Sequence, residues 1–217
     1  MAISTAISRF TDYYRRHGLP ATARRTWLAV QRSLFSSRSV LFYCDLATQT
    51  SPPRDLPTFL KVERIKSLAE LNHGDLEAMT SFWNPKLAEK SMKERFNLGA
   101  SLWLIKSHDK LAGYGWTLQG RTVEPHYFPL GHDDVQFIDF YVFPKYRGRG
   151  IDWFLMTQIL HRLAIEGLGR AFGEAGEWNQ ASIASFRMSR FDCLGLARKC
   201  TILGRTIVCW SKNGTAH

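Results

Sequence analysis

The chain predicts a mixed α/β domain preceded by an N-terminal helical extension, and three observations predict it. Strand-like and helix-like patterns alternate over 58–212. A proline-rich stretch, SPPRDLP at 51–57, breaks the chain before them, because three prolines among polar residues continue neither regular element. Finally, the strongest strand pattern, VQFIDFYVF, runs straight into a basic glycine turn and then an amphipathic helix.

The elements follow in order. Residues 1–52 read as a basic helical extension, with helices over 7–17 and 21–35 split by Gly18, Leu19 and Pro20, since glycine ends helices and proline tolerates their first turn. In the second helix Trp27, Leu28, Gln31, Leu34 and Phe35 share a face. Residues 58–212 form the second unit. FLKVERI reads as a strand, 75–82 and 85–98 as helices, and SLWLIKSHDKLAGYGWTL as a hairpin turning at His108, Asp109 and Lys110. A loop over 120–134 precedes VQFIDFYVF. The helix over 151–167 repeats Ile151, Leu155, Ile159 and Leu163 every four residues and ends on Gly167. A strand over 170–177, a helix over 180–188 and strands around 200–203 and 206–210 close the chain.

Composition bounds the function. With 217 residues, 45% of them hydrophobic, the chain can bury one full core. Apolar residues never run unbroken for the ~18 to 20 positions of a membrane span, and the first eighteen residues lack an apolar export region, so a soluble, cytoplasmic protein is expected. Cys44, Cys193, Cys200 and Cys209 form neither a CxxC pair nor a disulfide framework, and no histidine cluster accompanies them; they are expected as packed thiols, with no metal site. Twenty-nine basic against nineteen acidic residues leave +10, and half of that excess lies in 1–52, where seven arginines face Asp12 and Asp45. Such a surface attracts phosphorylated cofactors, nucleic acid or acidic lipid. A packed extension is the plain reading of 1–52; contact with nucleic acid or a membrane surface, and a homodimer, stay open.

The turn VFPKYRGRGI carries the sharpest chemistry. A helix starting directly after a strand exposes unpaired N–H groups and the positive end of its dipole, which suits anions. Gly148 and Gly150 let the main chain approach a diphosphate, and Lys145, Arg147 and Arg149 add charge. A solvated basic loop is the alternative for RGRG alone. Neither GxxxxGK[ST] nor a strand-following GxGxxG is present, which excludes a Walker-type nucleotide site and disfavours a dinucleotide Rossmann site.

These residues carry a resemblance. Val142, Pro144, Tyr146, Arg147, Gly148, Arg149, Gly150 and Ile151 resemble the acyl-CoA signature of the GNAT superfamily of N-acetyltransferases, and WNQASIASFRMSRF resembles that family's NxxSxxxY segment. The resemblance implies a central, mostly antiparallel mixed sheet flanked by helices, acetyl-CoA as co-substrate, and direct transfer to an amine-bearing acceptor: a small molecule, an amino sugar or a protein amine. It assigns cofactor contacts to the main chain of Phe140, Tyr141 and Val142, to the turn from Arg147 through Gly148, Arg149 and Gly150 to Ile151, and to Asn179 and Ser182. Three positions depart from the pattern: Asp152 replaces Gly or Ala, Phe186 replaces the tyrosine that many relatives use as general acid, and Arg190 replaces a glycine.

For the general base, Asp139 inside FIDFYVF is a candidate because a buried carboxylate is pushed toward neutrality. A carboxylate turned to the cleft rim, or one paired with any of the many arginines, is the alternative. Glu177, beside Trp178 and Asn179, ranks with it, and Glu174 is a rival. Tyr141, Ser182 and Ser185 are candidate acids, although water can also supply that proton. Asn179 doubles as a helix cap, His126 and His132 as proton relays or surface residues, and Trp103, Trp116 and Trp153 as packing. A catalytically idle acyl-CoA or partner-binding module, suggested by Phe186, and nucleic-acid binding through 1–52 are the competing functions.

Overall fold

The computed structural model describes residues 38–48, 56–81, 84–121, 126–202 and 205–212. One eight-stranded sheet organises them. Its strands are β1 (Ser39–Asp45), β2 (Leu60–Ile65), β3 (Ser101–Ser107), β4 (Lys110–Gln119), β5 (Asp134–Val142), β6 (Arg170–Gly176), β7 (Asp192–Ile202) and β8 (Arg205–Lys212). They lie in the order β2-β3-β4-β5-β6-β1-β7-β8, antiparallel except where β5 meets β6. The helices are α1 (His73–Thr80), α2 (Pro85–Asn97), α3 (Ile151–Ile165) and α4 (Gln180–Met188).

Local chemistry accounts for most boundaries. The β3–β4 hairpin turns on His108 and Asp109, both with positive φ, as a two-residue loop requires. Helix α2 starts with Pro85 behind Asn84, whose side chain accepts from the amides of Lys86 and Leu87. The expected stop at Gly167 is realised: φ is +80°, and the Leu168 amide reaches back to the Leu163 carbonyl at 3.1 Å.

Strand alternation sorts the core onto the two faces of the sheet. On one, Ile151, Leu155 and Ile159 of α3 pack on Phe42, Phe137 and Ala175. On the other, Met79 of α1 and Met92 of α2 cover Leu102, Leu104 and Trp116. Trp103 and Trp116 are core residues, at 1% and 2% exposure, and Trp103 Nε1 donates to Thr117 Oγ1 at 2.8 Å.

Two features differ from the sequence reading. Ser39–Asp45 falls inside the stretch assigned to the extension, yet β1 is an interior strand bonded to β6 along its full length and to β7 on the other side. Its run SVLFYCD places Val40, Phe42 and Cys44 on the helix-covered face and Leu41 on the other, so both faces are buried. Strand β7 begins at Asp192, eight residues before the expected 200, because backbone pairing to β1 extends the ladder through a sequence whose side chains are partly exposed. The helices expected over 7–17 and 21–35, and most of the proline-rich stretch 51–57, lie outside the described residues.

Candidate active site

Strands β5 and β6 pair only over three positions, Asp134 to Gln136 against Arg170 to Phe172. Asp134 fastens this short seam: Arg170 donates to both of its oxygens at 2.7 Å, and the Gly131 amide donates at 2.6 Å. Past the seam β5 follows β4 while β6 follows β1, and the sheet opens into a cleft of about 590 Å³.

The β5 wall is shaped by a bulge. Ile138 pairs with Trp116 and Tyr141 with Tyr114, so Asp139 and Phe140 together face Gly115, and Asp139 takes φ +47°. The sequence YG on β4 is what permits this: a Cβ on Gly115 would lie 2.4 Å from the Phe140 ring, and one on Gly113 would lie 2.8 Å from the Tyr141 carbonyl oxygen. The bulge also decides between the two readings of Asp139. Instead of a buried carboxylate, it is an exposed one at the cleft edge, bonded to Arg95 of α2, whose guanidinium lies over Trp116. Tyr141 and Tyr114 stand beside it with ring centroids 5.6 Å apart. Burial first, then the Asp139 charge, pushes the Tyr114 phenol up to about 12.

The turn has the expected form. Gly148 and Gly150 have φ +73° and +71°, and Gly150 is the N-cap of α3 with no side chain capping the helix. No amide from Gly148 to Trp153 donates to an acceptor among the described residues; the next, Phe154, bonds the Gly150 carbonyl at 2.9 Å. A Cβ at Gly148 would meet nothing within 4 Å, so the turn is open to a ligand. Arg147 folds back, Nε donating to the Val142 carbonyl at 3.1 Å, with its guanidinium 5.6 Å from the Tyr141 ring. Arg149 is exposed on the turn, while the Ile151 side chain is core and leaves only its amide for a ligand.

The opposite wall comes from β6 and α4. Phe140, Val142, Asn179 and Ser182 all border the cleft. The Asn179 side chain accepts from the Ser182 amide at 3.3 Å, the helix-capping role. Ser185 donates its hydroxyl to Asp152, turning that carboxylate toward α4. Phe186 is 4% exposed, stacked on Phe42 with centroids 4.6 Å apart, and Gly173 makes room for its ring. Glu177 lies exposed beyond β6, off the cleft wall, its amide bonded to the Arg38 carbonyl. Glu174 is instead the carboxylate of β6 that borders the cleft, its Oε1 accepting from Lys199 at 3.2 Å. His132 is exposed beside Asp133, and His126 is half-buried, with burial holding its ring below the usual imidazole value. Sequence reasoning missed Tyr114, for which the flanking glycines were the available signal.

Residues 67–189 match the acetyltransferase (GNAT) family model, which is more than half of the chain. The chain belongs to the GNAT family. Solved structures agree on the fold. A tandem GNAT protein from the clavulanic acid biosynthesis pathway superposes with TM-score 0.52 at 13% identity, covering 73% of this chain and 50% of that one. A GCN5-related N-acetyltransferase from Kribbella flavida gives 0.50 at 11%, covering 83% and 60%. A Drosophila protein gives 0.50 at 19%, covering 82% and 56%. The chain thus spans between half and three fifths of those structures. No curated protein matches its sequence. The mixed sheet and flanking helices are those of a GNAT acetyltransferase domain, and no helix among the described residues is long and apolar enough to cross a membrane.

Proposed function

We propose that this GNAT protein transfers an acetyl group from acetyl-CoA directly to a primary amine. The observation that carries the proposal is the run of unpartnered amides from Gly148 to Trp153, at the positive end of α3 and beside the cleft between β5 and β6. Those donors and the absence of side-chain bulk at two glycines fit a diphosphate, while the parted strands fit a pantetheine arm.

The chemistry asks little of the protein beyond placement and charge. The amine lone pair attacks the thioester carbonyl carbon; a C–N bond forms, the C–S bond breaks, and its electron pair leaves on sulfur. Main-chain N–H groups around the β5 bulge, Phe140 to Val142, are the candidate donors to the carbonyl oxygen as it gains negative charge. Tyr141, at the same wall, is the candidate donor to the departing thiolate. Asp139 remains available as a base, although its bond to Arg95 must be broken or shared first. Phe186, a core ring without a proton to give, favours a second reading in which the fold binds acyl-CoA without turnover.

Two measurements decide. Isothermal calorimetry with acetyl-CoA should show saturable binding that Gly150→Glu weakens at least about tenfold, through charge at the dipole end and strain at positive φ. A folded wild-type protein that releases no binding heat ends the proposal. Thiol release with a panel of primary amines separates catalysis from binding alone.

A further inference from the structure

Asp152 is the odd charge at the turn. The amides from Gly148 to Trp153 and the Arg147 side chain offer positive potential to an anion, yet this carboxylate stands beside them, in the first turn of α3 and on the border of the cleft. No cation among the described residues pairs with it; its partner is the Ser185 hydroxyl of α4. A carboxylate in the first turn of a helix is drawn to the free amides of that helix. Asp152 does not go to them: its one bond runs to Ser185, and the Gly150 cap stays bare.

Ser185 supplies the reason. The residue is 6% exposed, and its hydroxyl has one proton and two acceptors within reach, Asp152 Oδ2 and the Ala181 carbonyl at 3.0 Å. The charged acceptor makes the stronger bond, so the carboxylate is held toward α4. The two helices do not depend on this bond for their spacing. Trp153 Nε1 donates to the Met188 carbonyl at 3.0 Å, Ser189 Oγ donates to Met156 Sδ at 3.5 Å, and Phe186 anchors α4 by its stack on Phe42. Removing the Ser185 hydroxyl therefore leaves α3 and α4 in place and frees a single side chain, that of Asp152.

We propose that Ser185 is a positioning residue for the anion site: its hydroxyl holds the Asp152 carboxylate against α4, off the amides that take the diphosphate. The inference rests on the acetyl-CoA reading of that site and adds the residue that keeps the site free of the chain's own charge. Capping by Asp152 and diphosphate binding use the same donors, so each excludes the other. Apparent affinity then falls with the fraction of molecules in which the carboxylate has swung onto the amides. The aspartate at 152, where the family pattern has Gly or Ala, and the serine at 185 thus belong together: the second makes the first tolerable.

Calorimetry with acetyl-CoA on the full-length chain tests this in wild type, Ser185→Ala, Asp152→Ala and the double variant. Ser185→Ala is expected to weaken binding about threefold or more, the reach of one charge at a helix end. Asp152→Ala should bind as tightly as wild type or tighter, and once Asp152 is gone Ser185→Ala should change nothing further. A loss from Ser185→Ala that is equal in both backgrounds means that the hydroxyl acts on the ligand itself, and no loss in either means that the carboxylate never swings in; each overturns the proposal. So does a loss of about tenfold in Asp152→Ala, which would make the carboxylate a ligand contact. That last measurement, on a partly exposed side chain, does not need Ser185→Ala to fold. A wild type that gives no binding heat refutes the acetyl-CoA reading and the inference with it, whereas binding with additive variants refutes the inference alone.

Discussion

Tyr114 shows how closely one residue can be tied to the shape of the cleft. It sits between Gly113 and Gly115, both of which must lack a side chain for β5 to bulge toward it, and its phenol is held up to about 12 by burial and the Asp139 charge. A phenol whose folded pKa exceeds its unfolded value supports the fold fully below about pH 10 and loses that support as pH climbs toward 12. Tyr114→Phe should therefore flatten the alkaline loss of stability between those limits by up to about 2 kcal/mol, read from urea midpoints at fixed pH. A wild-type and variant pair that lose stability in parallel would place the phenol in water. Asp139 makes the complementary point. Its neighbours in sequence, FIDFYVF, promised burial, and only the bulge, a property of two strands together, turned it outward to Arg95.

At the scale of elements, the seam between β5 and β6 decides where the sheet opens. It consists of three residue pairs and the Asp134 carboxylate, 3% exposed, with its bidentate bond to Arg170 and its bond to the Gly131 amide. Asp134→Ala removes both and should cost about 1–3 kcal/mol by chemical denaturation; because Arg170 is half-exposed and rehydrates, the ion pair supplies the smaller share. A loss under half a kilocalorie would mean that backbone pairing alone holds the seam. The elements most legible in the sequence were those fixed by local patterns: the β3–β4 hairpin, helix α3 with its four-residue stripe, and the strand–turn–helix at VFPKYRGRGI. Strand β1 was hidden because the arginines and proline-rich segment around it outweighed a short apolar run. The Asp134–Arg170 seam was hidden for a different reason, since parallel pairing of β5 with β6 joins residues that no spacing rule connects.

For the whole molecule, the sheet order makes β1 a structural member of the domain that the sequence reading began at residue 58. Past residue 172, β6 is bonded to β1 and no longer to β5, so β1 alone braces that wall of the cleft by main-chain bonds. A chain starting at residue 58 should lack a cooperative thermal transition and bind no acetyl-CoA, and a sharp transition near that of the full chain would show that β1 is dispensable. The same placement has a consequence for how the protein is made. Ser39 meets Gly176 on one side and Ala197 on the other, so the strand waits for partners synthesised well over a hundred residues later. Contacts so distant along the chain are slow to form, and until they do, an apolar ribbon with two unsatisfied edges stays open to foreign strands. Expression yield at raised temperature should therefore depend on chaperone supply more than the stability of the finished fold would suggest.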